Sequence, residues 1–65
     1  ESLSDREREV LSLVADGLSN KEVAERLHLA STTVRDHMQS VMRKLQVKSR
    51  TGAAVAGFRQ GLLTA

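Results

Sequence analysis

Cysteine, proline, tryptophan and tyrosine are all missing from this chain of 65 residues, and phenylalanine occurs once. Without cysteine, neither a disulfide nor a thiolate metal site supports the fold. Without proline, nothing in the chain obliges a helix to break. A single aromatic ring leaves little capacity for stacking on bases. No apolar run is long enough to span a bilayer and no signal-peptide pattern opens the chain, so the expected setting is cytoplasmic. A chain of this length makes one small domain, burying only about 60% of the surface its unfolded form exposes. What remains is a composition suited to a compact bundle of helices.

The charges are unevenly placed. Residues 1–30 carry four bases and seven acids, a net of −3, whereas residues 31–65 carry six bases and one acid, Asp36, a net of +5. A basic half on a folded domain suits a polyanionic partner. A solvated surface whose halves attract each other would have the same composition.

Helix signals recur along the chain. Ser4 and Glu7 form a capping box, and Val10, Leu11, Val14 and Leu18 follow as a buried stripe, which predicts a helix over 5–16 closed by Gly17. Glu7 projects onto the apolar side, so its carboxylate must be paired or turned back to the cap. Ser19 and Glu22 form a second capping box for a short helix ending near His28, with Val23, Ala24 and Leu27 inward. A third helix begins at Ala30 or Ser31 and runs to about Gln46; Ser31 can cap it and Ala30 cannot. Ser49 caps a fourth helix over roughly 50–62. Its residues Ala54, Val55, Phe58 and Leu62 share one side, and the small residues Ala53, Ala56 and Gly57 lie on another.

The third helix is the most informative element. Val34, Met38, Val41 and Leu45 form one narrow stripe at i, i+4, i+7 and i+11. At about 100° per residue, Thr32, Asp36, Gln39 and Arg43 fall on the opposite side, with Arg35 at its edge. A short helix joined by a tight turn to a longer helix with a polar outer face describes a helix-turn-helix. The expected fold is therefore all-α, a four-helix bundle whose third helix is the recognition helix. In that motif the second helix of the pair enters the major groove, about 12 Å wide, where Arg bonds guanine, Gln bonds adenine and an acid accepts from cytosine. Arg35, Asp36 and Gln39 are thus the candidates for reading bases. Thr32, Thr33, His37, Arg43, Lys44 and Lys48 are candidates for phosphate contact on the flanks. Asn20 and Lys21 join them, because the free N–H groups opening the second helix favour anions.

Catalysis and metal binding find no support. His28 and His37 lie on different elements without a neighbouring acid cluster. Asp36, His37 and Ser40 supply the residue types of a catalytic triad, but adjacent helical positions diverge by about 100°, so Asp36 does not orient His37 toward Ser40. No metal, no cofactor and no enzymatic activity is expected.

Four segments carry a family resemblance: 3–11 (Leu-Ser-Asp-Arg-Glu-Arg-Glu-Val-Leu), 17–24 (Gly-Leu-Ser-Asn-Lys-Glu-Val-Ala), 33–37 (Thr-Val-Arg-Asp-His) and Lys44-Leu45. Together they resemble the LuxR-type helix-turn-helix domain found at the end of NarL/FixJ response regulators and of quorum-sensing regulators. The resemblance covers practically the whole chain, 1–65. It implies the C-terminal DNA-binding effector domain of a bacterial response regulator, acting in transcription regulation and dimerising through its fourth helix, with an N-terminal receiver or ligand-binding domain in the full protein. It matches Arg35, His37 and Lys48 to basic positions of the family. Asp36 stands where relatives are often small or apolar, Gln39 where one branch often has Lys, Ala30 in place of a frequent Ser cap, and Gly52 in place of an acid or amide. The small residues Ala53, Ala56 and Gly57 would admit a second backbone, giving a homodimer on double-stranded DNA with an inverted repeat as its site. The rival readings are a promoter-recognition domain of a sigma factor, which shares the Leu-Ser-x-Arg-Glu opening, and a protein-interaction module without DNA affinity.

Overall fold

The computed structural model describes residues 2–63; Glu1, Thr64 and Ala65, included in the expected domain, lie outside them. Four helices follow in order, α1 (Asp5–Ala15), α2 (Asn20–Leu27), α3 (Ser31–Leu45) and α4 (Arg50–Arg59), with no strand among the described residues. The all-α expectation holds.

Both expected capping boxes are closed. The Glu7 amide donates to Ser4 Oγ at 3.1 Å and the Ser4 amide to Glu7 Oε1 at 2.8 Å. Ser19 and Glu22 repeat the exchange at 3.2 and 2.9 Å. Each box satisfies orphan donors that the helix itself leaves open. Ser49 caps α4 through the Gly52 amide. At α3 the N-cap is Ala30, with no side-chain cap, and Ser31 is already helical.

All four helices end in the same way. A residue with positive φ follows each helix, namely Gly17 (97°), His28 (58°), Gln46 (59°) and Gly61 (71°). The amide of the next residue then reaches back five positions: Leu18 to Leu13, Leu29 to Ala24, Val47 to Met42, Leu62 to Gly57. This is the Schellman closure, in which the residue after the left-handed one is apolar and packs back on the helix. Leu18, Leu29, Val47 and Leu62 are all part-buried against the core. The left-handed turn at Gly61 also explains why α4 stops at Arg59 rather than near 62.

The core is Leu3 with Val10, Leu11 and Val14 of α1, Val23 and Ala24 of α2, Val34, Met38 and Val41 of α3, and Ala53 of α4. Both α1 and α3 pack against every other helix. The stripe predicted for α3 is therefore its buried face, and the third helix is held on three sides with its polar arc outside.

Of the small residues Ala53, Ala56 and Gly57 of α4, Ala56 is half-buried, and Ala53 and Gly57 do not have the role expected of them. Ala53 is fully buried and Gly57 buried, both turned into the bundle rather than toward a partner. A Cβ on Gly57 would stand 3.0 Å from Leu11 Cδ2 and 3.0 Å from Leu63 Cδ1. Small side chains do permit close approach of a backbone, but the approach is of α4 to α1 of the same chain. The large apolar residues that α4 exposes are Val55 and Phe58, at 45% and 49% of their full surface.

Candidate nucleic-acid interface

The turn His28-Leu29-Ala30 joins α2 to α3, which pack against each other. Arg35, Asp36, Gln39, Thr32 and Arg43 are exposed, as are Lys21 and Lys48; Asn20, Thr33 and His37 are half-buried. Arg35 Nε and Asp36 Oδ1 lie 3.8 Å apart with their side chains 61% and 68% exposed. An ion pair so open to water holds neither partner firmly, worth about 0–1 kcal/mol. Both side chains are free to turn toward a ligand. Arg43 is steadied by a 3.4 Å bond to Ser40 Oγ.

Behind that arc lies a polar anchor. Glu7 is the one buried charged residue among those described. Its Oε1 accepts from Lys44 Nζ at 2.8 Å and its Oε2 from the Ser40 hydroxyl at 2.5 Å. Burial pushes its pKa up, but the bonds from Lys44, the Ser4 amide and Ser40, together with the Lys44 charge, outweigh burial and hold it at about 2. The requirement read from sequence, that Glu7 be paired or turned back to its cap, is met in both ways at once. Removing one partner from such a pair leaves a stranded charge, so the pair ties α3 to α1.

This anchor corrects the reading of Lys44 and gives Ser40 its partner. Lys44 is not a free phosphate ligand: its side chain is only 15% exposed, and its ammonium is spent on Glu7 and on the Ser2 carbonyl at 3.3 Å. Ser40 gives its proton to Glu7, not to His37, so it belongs to the anchor and to no triad. Among the described residues, no group of three His, Asp or Glu side chains gathers in metal-binding geometry, and no helix is long and apolar enough to cross a membrane.

Arg50 was legible only as one more positive charge. It opens α4 and donates through one guanidinium nitrogen to Asn20 Oδ1 and through the other to the Leu18 carbonyl at 2.8 Å. The bond links the start of α4 to the start of α2 and to the turn before it. No local pattern marks such a contact, because its partners stand 30 and 32 positions away in the chain.

Comparison with known proteins agrees with this geometry. Residues 1–56 match the family described as bacterial regulatory proteins, luxR family. The response regulator protein VraR of Staphylococcus aureus (strain NCTC 8325 / PS 47) is 40% identical over 63 residues, covering 97% of this chain and 30% of VraR. VraR of Staphylococcus epidermidis is similar to the same degree. The chain thus spans about 30% of the length of these curated relatives. Among solved structures, the transcription factor GerE superposes with a TM-score of 0.90 at 34% identity, over 98% of this chain and 97% of GerE. The response regulator ChrA of a heme-sensing two-component system superposes with a TM-score of 0.92 at 39% identity, over 95% of this chain and 31% of ChrA. With four helices closed by left-handed turns, a buried inner stripe on the third and a polar arc outside it, the chain belongs to the LuxR family of bacterial regulatory proteins, as a helix-turn-helix domain for DNA-binding transcription regulation.

Proposed function

We propose that the domain reads double-stranded DNA by seating α3 in the major groove, as the effector part of a bacterial response regulator. The observation that carries this reading is the outer arc of α3. Arg35, Asp36 and Gln39 stand exposed on a helix whose inner face, Val34, Met38 and Val41, is dry. In this reading Arg35 bonds a guanine edge bidentately, Gln39 reads a neighbouring base and Asp36 accepts from cytosine or steadies Arg35. Thr32, Thr33, His37, Arg43, Lys48, Asn20 and Lys21 meet phosphates and fix the register. The receiver or ligand-binding domain lies in the part of the protein beyond this chain.

The domain binds as a homodimer through α4, and exposed Val55 and Phe58 supply the apolar surface for that contact. Two recognition helices then lie about one helical turn of DNA apart, roughly 34 Å, so the target is an inverted repeat. Selection of bound sequences from a random duplex pool tests the reading. An enriched inverted repeat whose affinity falls steeply with salt supports it. A pool without enrichment, or affinity indifferent to salt, rejects it.

A further inference from the structure

We infer that Arg50 is a positioning residue, which turns the amide of Asn20 so that its NH2 group faces the DNA backbone. The inference rests on the reading of Asn20 as a phosphate contact.

A guanidinium carries five donors and no acceptor, whereas an asparagine amide offers one oxygen and one NH2. Arg50 bonds Asn20 Oδ1, so the oxygen is the inward atom of the amide and Nδ2 the outward one. The opposite orientation would set NH2 against guanidinium, two donors facing each other. The second arm of Arg50, on the Leu18 carbonyl at 2.8 Å, fixes the guanidinium plane. Nδ2 makes no hydrogen bond among the described residues.

The surroundings leave that NH2 to an anion. The Glu22 carboxylate, two residues on, accepts from the amide of Ser19 at 2.9 Å, and Ser19 Oγ accepts from the amide of Glu22. Neither group hydrogen-bonds Asn20 Nδ2 among the described residues. Its amide stands at the first position of α2, where the helix dipole favours negative charge, with the Lys21 ammonium exposed beside it. Arg50 thus acts on DNA through Asn20 and, as the first residue of α4, links the helix proposed for dimerisation to the phosphate-contacting end of α2.

Four variants of the chain, Asn20→Ala, Asn20→Asp, Arg50→Lys and the double variant Asn20→Ala/Arg50→Lys, test the inference by duplex affinity at fixed salt, with thermal unfolding measured alongside. Asn20→Asp keeps an acceptor for Arg50 but shows DNA an oxygen instead of NH2. It should unfold no earlier than the parent and bind any duplex about tenfold more weakly, as loss of a bond to a charged group requires. Arg50→Lys keeps the charge but not the two-armed geometry, and should weaken all duplexes by a comparable factor without altering sequence preference. In the Asn20→Ala background it should cause no further loss. An equal loss in both backgrounds would show that Arg50 acts independently of the amide and overturn the inference; so would an Asn20→Asp variant that binds as tightly as the parent. Should Arg50→Lys fail to fold, Arg50→Gln alone and in the Asn20→Ala background makes the same comparison. A parent chain whose duplex affinity ignores salt rejects the DNA reading itself, and the inference with it.

Discussion

Lys44 Nζ lies 2.8 Å from Glu7 Oε1, joining the last turn of α3 to the first turn of α1. The pair is largely shielded, at 15% and 8% side-chain exposure, and has no counterpart elsewhere in the described residues. The helix proposed to read DNA is thereby held from behind by a charge rather than by packing alone. Lys44, one of the six bases of residues 31–65, is spent on structure.

Stability in acid should report this pair. Glu7 has its pKa lowered from 4.5 to about 2, so its ionised form is favoured by folding. The stabilisation is complete above 4.5 and is lost as pH falls from 4.5 toward 2. Denaturant midpoints between neutral pH and pH 2 should fall through that window in the parent and vary less in Glu7→Gln, which should be destabilised by about 1–3 kcal/mol at neutral pH. A variant with the same acid profile as the parent would assign the acid sensitivity to other carboxylates.

Lys44 and Lys48 should separate cleanly. Lys44→Met should lower the unfolding midpoint and leave the dependence of log affinity on log salt nearly unaltered, since no counterion is released at a buried pair. Lys48→Met, at an exposed position, should leave stability unchanged and reduce that slope by about 0.9. A reversed pattern would return Lys44 to the DNA surface.

Gly57 and Phe58, neighbours on α4, should also behave oppositely. Gly57→Ala gains about 1 kcal/mol of helix propensity but drives a methyl against fully buried Leu11, where overpacking costs about 1–3 kcal/mol. The net effect should be destabilisation of the monomer. Phe58→Ser removes a half-exposed ring and should leave the fold intact while weakening self-association on an inverted repeat. Sedimentation of the two variants, with unfolding curves, distinguishes these outcomes.

The left-handed helix ends invite the reverse change. Gln46 sits at φ 59° without the freedom of glycine. A left-handed conformation costs a residue with a Cβ about 1–2 kcal/mol, and part of that is offset by the greater unfolded freedom of glycine. Gln46→Gly should therefore stabilise by about 0.5–1 kcal/mol in thermal or denaturant unfolding. Destabilisation would mean that Gln46 makes contacts that outweigh its backbone strain.

These residues also show how much the chain reveals about itself. The capping boxes and the ends at Gly17 and Ser49 were legible, because each signal lies within four residues of the element it bounds. The ends at His28 and Gln46 were only approximate, since neither residue type announces a positive φ. The anchor of Glu7 was legible as a need but not as a partner, because Lys44 is 37 positions away. The inward face of α4 was misread because small residues fit a close contact wherever it occurs, and periodicity does not say whether the approaching backbone belongs to the same chain. At the candidate site, the exposed arc of α3 followed from its stripe, whereas the Arg50 bracket depends on how α4 meets α2 and leaves no local trace.

In the proposed complex, the polar arc of α3 and the start of α2 form the DNA surface. Titration of the isotope-labelled chain with a selected duplex, read by backbone amide shifts, maps that surface residue by residue. The largest changes are expected at Asn20, Lys21, residues 31–39 and Arg43, with little change along the outer face of α1 around Arg6 and Glu9. Changes concentrated on α1, or absent from 31–39, would contradict this assignment.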